Sequence, residues 1–306
     1  MNPASPHFER DYIGRFAPSP TGDLHFGSLV AAVGSFLQAR SNQGLWLVRI
    51  EDLDPPREVA GAAERQIAAL ARFGLHPDRP VCRQSLFRPR HDEAIARLLA
   101  MGRAFACACT RSDLPTDGVY PGTCRGGIPA GRDARSIRFR VDETSIDFDD
   151  SVQGPQRQHP LSQCGDFIIR RADGLIAYQL AVVVDDAAVG VTEVVRGADL
   201  IDSTGRQIQL HQALGLRVPR YLHLPLVVDE SGRKLSKSDG DDPVHRHDPS
   251  TALRLALRAL GHEPPARATS LASQWAWALD NWQPGAVPAG PVAIAAPIEA
   301  AIGVQT

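Results

Sequence analysis

Lysine is nearly missing from this chain of 306 residues. Lys234 and Lys237 are the only two, and arginine carries the remaining side-chain positive charge. Both lysines fall within one five-residue segment, KLSKS, which spans residues 234–238. Lysine–serine runs also occur on solvated surface loops, but a chain that places its only two lysines together favours a specific role for them. A compact, mobile ammonium group suits a phosphate that shifts position.

Long apolar runs are also missing. No stretch of about 18 apolar residues is present, which excludes an ordinary membrane span, and residues 1–11 lack the apolar segment of a secretory signal. We therefore expect a cytoplasmic protein whose five cysteines are reduced. The formal net charge of −2 argues against a protein that grips nucleic acid over its whole surface, although it allows a local basic face. The composition, 43% hydrophobic and 22% charged, is that of a globular protein with one large domain or two smaller ones.

Strand-like and helix-like segments alternate in the first third of the chain. Residues 12–16 and 45–50 predict strands, and residues 27–40, 59–73 and 90–101 have the apolar spacing of helices. This order indicates a βαβ unit and a parallel sheet. From about residue 105 to 165 the pattern breaks into Gly-, Pro-, Asp- and Cys-rich sequence, which predicts an insertion with its own small structure.

The second half of the chain predicts further elements of both kinds. They are strands at residues 166–170, 177–184 and 224–228, and helices at 203–214, 249–260 and around 270–279. Asp248-Pro249 supplies a cap residue followed by proline at the first helical position.

The segment RFAPSPTGDLHFGS, residues 15–28, combines rigid and phosphate-binding features. Its prolines and Gly22 fix a tight loop after a strand, and a helix is predicted to start near Gly27, so its free N–H groups face the loop. Gly27 leaves room for a flat adenine, and His25 can donate to phosphate oxygens. A buried structural histidine is the alternative interpretation of His25 alone. With KLSKS, whose two ammonium groups can neutralise charge on a departing pyrophosphate, the loop indicates an enzyme that activates a carboxylate with ATP.

Four segments together resemble the glutamyl/glutaminyl type of class I aminoacyl-tRNA synthetases. They are RFAPSPTGDLHFGS, RIEDLDPPR at residues 49–57, VRGADL at 195–200, and KLSKS. The chain departs from the common pattern at Ser28, where a second histidine is frequent, and at Leu235, where methionine is frequent. The resemblance implies an α/β fold, with a Rossmann-type parallel-sheet catalytic domain at residues 1–240. It also implies a zinc-binding insertion at about 105–165 and a short helical C-terminal part at 241–306.

The resemblance also implies the roles of individual residues. Catalysis is assigned to His25, Lys234 and Lys237, and ATP binding to His25, Gly27, Ser28 and Lys237, with Mg²⁺ accompanying ATP. Glutamate carries two carboxylates and one ammonium, which need paired partners when buried. Its implied site consists of Arg15, Phe16, Ala17, Pro18, Ser19, Glu51, Tyr178 and Arg196. Arg15 and Arg196 bind carboxylates, with the choice of carboxylate open, Tyr178 adds a hydroxyl, and Glu51 binds the ammonium.

Three cysteines in the insertion predict a structural zinc site. They are Cys107, Cys109 and Cys124. Such a small insertion gains folding free energy from a metal. From chemistry alone the fourth ligand could be Cys164, His159 or an acidic residue, with Cys164 ranked first. The resemblance instead implies Tyr120, four residues before the last cysteine. The alternative is that the cysteines are simply small buried apolar residues.

The short tail after KLSKS narrows the expected substrate. It is too short for the anticodon-reading region of a full glutamyl-tRNA synthetase, so the resemblance points to that enzyme's short paralogues. Those proteins activate L-glutamate with ATP without tRNA, and then transfer it to the queuosine base of tRNA(Asp). No protein partner is evident. Three alternatives stay open: a truncated enzyme that charges the 3′ end of tRNA(Glu), a nucleotidyltransferase with a small acceptor, and a non-catalytic zinc and RNA-binding protein.

Overall fold

The computed structural model describes residues 12–229 and 243–293. Both lysines, and the predicted domain boundary at 240–241, lie outside these described residues. The helices are α1 (Phe26–Ser41), α2 (Ala62–Arg72), α3 (Arg88–Ala100), α4 (Pro160–Cys164), α5 (Tyr178–Val189), α6 (Thr204–Leu214), α7 (Pro249–Ala259) and α8 (Leu271–Asn281). The strands are β1 (Ile13–Phe16), β2 (Leu45–Ile50), β3 (Cys82–Arg83), β4 (Ala104–Cys107), β5 (Ser136–Phe139), β6 (Ile146–Asp150), β7 (Gly154–Gln158), β8 (Ile168–Arg170), β9 (Glu193–Gly197), β10 (Arg220–Leu224), β11 (Val227–Val228) and β12 (Val292–Ala293).

A parallel sheet of order β1-β2-β3 is built by the first third of the chain. Helix α1 connects β1 to β2, as the alternation of strand and helix predicts. Apart from Leu45, β2 is buried along its length, which suits a strand covered on both faces. The sequence-based expectation of an α/β protein with a parallel sheet is therefore confirmed.

A second sheet has the order β7-β6-β10-β9, in which β10 pairs in parallel with both β6 and β9. Strands β6 and β7 form an antiparallel hairpin. The two sheets meet at β1 and β9, where the Thr192 N–H donates to the Ile13 carbonyl at 2.9 Å. This junction brings the carboxyl ends of β1 and β9 together, which is where open α/β sheets bind ligands.

The insertion contributes to a separate antiparallel sheet of order β4-β5-β8, whose strand β8 follows the insertion in sequence. The cysteine-containing segment follows β4 and packs into its own small apolar cluster. Hairpin β6–β7 belongs to the same stretch of sequence but pairs with β10 of the larger sheet. The insertion therefore contributes to two sheets.

Helix α5 corrects one sequence-based expectation. Residues 177–184 read as a strand, but Tyr178–Val189 is helical and ends at Gly190, whose φ of 78° is left-handed. The segment from Leu180 to Asp186 is buried on every side of this helix. A helix that is apolar all round produces the same continuous apolar run as a buried strand, so periodicity cannot distinguish them. The predicted strand at 224–228 is likewise divided, because β10 ends at Leu224 and β11 begins at Val227.

The C-terminal helices pack on α1. Side chains of α1, α7 and α8 share one apolar core. The Trp282 indole donates to Gln38 Oε1 at 2.8 Å, and the Trp275 indole to the Phe73 carbonyl at 2.8 Å. A Cβ on Gly34 of α1 would lie 2.7 Å from Leu224 and 3.4 Å from Leu260, so a larger residue here would displace the end of the Leu224 side chain. Helix α1 is thereby fixed from both sides.

Candidate active site

One cavity of about 770 Å³ lies at the carboxyl ends of β1, β9 and β10. It collects every glutamate- and ATP-site residue predicted from the sequence, apart from Lys237, which lies outside the described ranges. These lining residues are Arg15, Phe16, Ala17, Pro18, Ser19, His25, Gly27, Ser28, Glu51, Tyr178 and Arg196. Sequence reasoning did not single out Arg57, Asp199 or Leu226, which also line it.

The loop between β1 and α1 is held by hydrogen bonds to its carbonyl groups. The Pro18 carbonyl accepts from the Glu51 N–H and the Pro20 carbonyl from the Val59 N–H, each at 2.9 Å. The buried Gln66 amide of α2 donates to the carbonyls of Ser19 and Gly22, at 3.0 and 2.6 Å. Because prolines lack N–H groups and have a fixed φ, this loop is a rigid wall of the cavity.

His25 is the cap residue of α1. Its Nδ1 accepts from the Ser28 N–H at 3.3 Å, so the neutral imidazole carries its proton on Nε2. A Cβ on Gly27 would lie 3.2 Å from both Cε1 and Nδ1 of His25, which is a tight contact. The glycine therefore leaves room for the imidazole ring above the first turn of α1, where helix N–H groups favour anions.

Arg15 belongs to a buried network of four charged side chains. Its Nε donates to Asp186 Oδ2 at 3.0 Å, and its Nη1 to the Val195 carbonyl at 3.3 Å. Among the described residues, no hydrogen bond engages Nη2 of Arg15. Arg49 donates to Asp186 Oδ1 at 2.6 Å and to Glu51 Oε1 at 3.1 Å. The Asp186 carboxylate thus orients Arg15 directly and Glu51 through Arg49.

The carboxylates of this network respond differently to burial. Burial raises the pKa of the Glu51 carboxyl, and the Arg49 guanidinium opposes this shift without cancelling it. Burial also acts to raise the pKa of Asp186, but Arg15 and Arg49 outweigh it and hold this pKa below its usual value. Asp186 is therefore an anion that compensates two arginines.

Arg196 is buried and donates all five of its N–H groups to uncharged acceptors. The acceptors and distances are Gln207 Oε1 at 2.8 Å, Thr204 Oγ1 at 2.9 Å, His223 Nε2 at 3.0 Å, the Leu200 carbonyl at 3.2 Å and the Tyr178 hydroxyl at 3.3 Å. Within residues 12–229 and 243–293, no carboxylate forms an ion pair with Arg196. A buried guanidinium without an anion is costly, so this wall of the cavity favours an anionic ligand.

The three cysteine sulfurs of the insertion converge. Their Sγ atoms lie within 4.8 Å of one another, with Cys109 and Cys124 at 3.7 Å. The Tyr120 hydroxyl accepts from the Cys124 N–H at 2.8 Å and lies 3.5 Å from Cys107 Sγ. Cys164, which ranks first from chemistry alone, is not part of this cluster, because its Sγ donates to the Pro160 carbonyl at 3.1 Å.

Donors around Cys107 favour its thiolate. Burial acts to raise its pKa, but hydrogen bonds from the Tyr120 hydroxyl, the Cys109 N–H and the Arg138 guanidinium outweigh this and lower the pKa to about 7. Arg138 Nε lies 3.3 Å from Cys107 Sγ, and its guanidinium stacks 3.8 Å from the Tyr120 ring centroid. Three converging thiols, one with thiolate character, fit a soft divalent metal.

Comparison with known families adds to this geometry. The sequence profile of the catalytic domain of class I tRNA synthetases (E and Q) matches residues 13–117 and 129–273.

This chain belongs to the class I tRNA synthetases for E and Q.

Similar proteins in this synthetase family carry the name glutamyl-Q tRNA(Asp) synthetase. The protein from Chromobacterium violaceum is 51% identical over 288 residues, which cover 92% of this chain and 97% of the relative. The protein from Xanthomonas campestris is 54% identical over 281 residues, covering 90% and 93%. The protein from Pseudomonas aeruginosa is 51% identical over 280 residues, covering 90% and 95%.

Solved synthetase structures share the fold. A glutamate tRNA ligase from Elizabethkingia meningosepticum, in complex with its amino acid, superposes with a TM-score of 0.78 at 24% identity. It covers 92% of this chain, which spans 67% of that structure. The glutamate-tRNA synthetase from Elizabethkingia anophelis gives the same TM-score at 25% identity, with 93% and 68% covered. No helix in the described part of this chain is both long and apolar enough to cross a membrane.

Proposed function

We propose that this chain activates L-glutamate with ATP and transfers it to the queuosine base of tRNA(Asp). The observation that carries the proposal is Arg196, a buried guanidinium that lines the cavity with five uncharged acceptors and no anion among the described residues. Relatives at 51–54% identity over about nine-tenths of the chain are named for this activity. A dicarboxylate such as glutamate would supply the negative charge that Arg196 lacks among the described residues.

The glutamate would be held by residues of opposite charge. Its carboxylates would contact Arg15 and Arg196, since Nη2 of Arg15 is uncommitted within the described residues and the Tyr178 hydroxyl is the longest of the five Arg196 contacts. Its ammonium would contact Glu51, whose carboxylate already accepts from Arg49. Charge-assisted contacts of this kind are the strong ones in a desolvated site.

Activation would occur between the two ends of the cavity. An oxygen of the α-carboxylate attacks the α-phosphorus of ATP, the bond to the bridging oxygen breaks, and pyrophosphate leaves. The N–H groups at the start of α1 and the His25 Nε2 proton stabilise the developing charge. Lys234 and Lys237 would add two ammonium groups there, and Mg²⁺ would supply further charge neutralisation when it accompanies ATP. A hydroxyl of queuosine then attacks the mixed anhydride and releases AMP.

The decisive experiment uses purified protein, ATP and radiolabelled glutamate with two tRNA pools. One pool contains queuosine, and the other comes from cells unable to make it; samples stay acidic because esters hydrolyse in alkali. We expect label in the queuosine-containing pool alone, on tRNA(Asp). Equal label in both pools would instead establish charging of tRNA(Glu), and no label in either would contradict a synthetase activity on tRNA.

We also propose that the cysteine cluster holds one structural Zn²⁺, with the Tyr120 hydroxyl as fourth ligand. The convergence of three sulfurs beside that hydroxyl supports this donor set. Metal analysis of the purified protein should give about one zinc per chain. Cys109→Ser should lose it, whereas Cys164→Ser, the matched control outside the cluster, should keep it. Zinc retained by the Cys109 variant would contradict the site.

The domain organisation and location follow from the same proposal. Residues 1–240 would form the catalytic domain, interrupted at about 105–165 by the zinc-binding insertion, and residues 241–306 a helical C-terminal part. The packing of α7 and α8 on α1 supports a structural role for that last part. A cytoplasmic location is proposed because tRNA is the substrate.

A further inference from the structure

Two buried side chains lie directly behind Arg196. His223 on β10 has no exposed side-chain surface, and neither has the Asp150 side chain on β6. Asp150 Oδ2 lies 2.6 Å from His223 Nδ1, and His223 Nε2 accepts from Arg196 Nε at 3.0 Å. The three side chains thus form a line from the sheet β6–β10–β9 into the cavity wall.

This arrangement fixes the proton on His223. An arginine has only donors, so the nitrogen that faces Arg196 must present a lone pair. The Nδ1 atom must then carry the proton and donate it to Asp150. Burial lowers the pKa of His223, and Asp150 opposes this shift without cancelling it. The imidazole is therefore neutral. The partner of one ring nitrogen determines whether the other nitrogen is protonated. Asp150 therefore decides whether His223 Nε2 presents a lone pair or a proton to Arg196.

We propose that the Asp150–His223 pair is the positioning device of the glutamate site, which holds Arg196 in place without neutralising it. The inference rests on the proposed function. Arg15 shows the alternative arrangement, because its Nε is held directly by the Asp186 carboxylate at 3.0 Å. An imidazole placed between Asp150 and Arg196 supplies the same directional hydrogen bond from an uncharged atom. The positive charge of Arg196 is then left for the carboxylate of the substrate.

The substitution Asp150→Asn tests this inference with little change of shape. Oδ1 of Asp150 accepts from the N–H groups of Val152, Gln153 and His223, at 3.0, 2.9 and 3.1 Å, and the asparagine carbonyl can keep these bonds. Its NH₂ group, however, faces His223 Nδ1 and favours the tautomer with the proton on Nε2. That proton then points at the N–H group of Arg196 Nε, so two donors face each other and the hydrogen bond between them is lost.

We expect Asp150→Asn to raise the KM for glutamate by about 10- to 100-fold, since a lost bond to a buried charged group is worth one to two decades. The KM for ATP should stay within about twofold, and kcat at saturating glutamate should fall less than the KM rises. The assay is ATP–pyrophosphate exchange dependent on glutamate. In the double variant Asp150→Asn/His223→Gln, the glutamine side-chain oxygen, an acceptor that has no tautomers, faces Arg196. This variant should bring the KM for glutamate most of the way back to the wild-type value.

A spectroscopic measurement separates this inference from the function on which it rests. In ¹⁵N-labelled protein, the His223 signals, identified by their loss in His223→Gln, should show an unprotonated Nε2 in the wild type and a protonated Nε2 in Asp150→Asn. An unchanged tautomer with an unchanged glutamate KM would overturn the positioning role. So would a raised KM that the double variant does not lower, because Asp150 would then act through the fold alone. If wild-type protein shows no glutamate-dependent exchange, the proposed function fails, while the tautomer measurement still decides whether Asp150 controls His223.

Discussion

Replacing Asp186 by asparagine should damage both the stability of the protein and its affinity for glutamate. Among the described residues, Asp186 is the one carboxylate that accepts from both Arg15 and Arg49, at 3.0 and 2.6 Å, and the three side chains are 2–4% exposed. An asparagine of the same shape has one acceptor oxygen, and its NH₂ group faces the other guanidinium. One buried arginine is therefore left facing a donor.

The magnitude follows from the burial. Removing one partner of a buried ion pair costs about 3–5 kcal/mol. With an unfolding entropy of about 2.1 cal/mol/K per residue over the 306 residues, that loss lowers Tm by roughly 5–8 °C. Because Arg15 loses its anchor, the KM for glutamate should also rise by about tenfold or more.

The neighbouring Asp185 provides a matched control. It is also buried and on the same helix, but no guanidinium donates to it: its partners are the Gln84 amide at 2.6 Å and the His91 imidazole at 2.7 Å. Nδ1 of His91 has no hydrogen-bond partner among the described residues, so the ring can change tautomer to suit an asparagine. Asp185→Asn should therefore cost about 1–2 kcal/mol and leave the KM for glutamate nearly unchanged.

Thermal unfolding and glutamate-dependent exchange, measured on both variants, test the argument. Adding Arg49→Met to Asp186→Asn removes one uncompensated charge and should recover part of the lost stability, which a double-mutant cycle measures. If Asp186→Asn is as stable as Asp185→Asn and binds glutamate normally, the buried network does not organise the site as described.

Three further predictions concern separate features. Gly27→Ala places a Cβ 3.2 Å from the His25 ring, so kcat for adenylate formation should fall by about tenfold with an unchanged KM for glutamate; unchanged kcat would refute a role for the ring position. Lys237→Ala should leave Tm unaltered and reduce exchange by about 10²-fold or more, and near wild-type exchange would contradict the assigned role of this lysine. Burial lowers the pKa of His211 to about 4, so the unfolded chain takes up the proton first as the pH falls below about 6.5; stability should drop by about 2 kcal/mol between pH 7 and 5, and denaturant unfolding of His211→Gln should lack that drop.

The first third of the fold was predictable because its patterns are local. Residues 27–40 were expected to form a helix, and α1 spans Phe26–Ser41. The apolar stretch at 45–50 was expected to form a strand, and β2 has those bounds. Each rests on the pattern of apolar residues within a short segment, and the helix also on the Pro-rich turn before it. The parallel sheet follows from their order along the chain.

Helix α5 was not predictable in the same way, and its misassignment concealed functional residues. A strand at 177–184 ends before Asp185 and Asp186, so that prediction assigns these two residues no place in the core. In the helix they are buried, with Asp186 turned toward the arginines of β1 and β2. Asp150 and His223 were missed for a related reason, since a pair separated by 73 residues leaves no spacing signal.

The cavity-lining residues, in contrast, were predictable through the resemblance. The predicted site residues between Arg15 and Ser28, with Glu51, Tyr178 and Arg196, line one cavity, although they come from four separate segments. Composition and periodicity could not have assembled them. The assigned roles of these residues stay predictions until the variants are measured.

The dependence of α1 on distant parts of the chain has a consequence for its synthesis on the ribosome. Strand β1 and α1 are complete at residue 41, but Thr192, which bonds to Ile13, is made about 150 residues later, and Trp282, which bonds to Gln38, about 240 residues later. At about 5–20 residues per second, the second interval lasts roughly 10–50 s. Throughout it, the face of α1 that packs on α7 and α8 lacks its native partners. Among the hydrogen bonds of residues 12–229 and 243–293, the one between Gln38 and Trp282 joins the side chains furthest apart in sequence, so the helix that His25 caps completes its packing only near the end of synthesis.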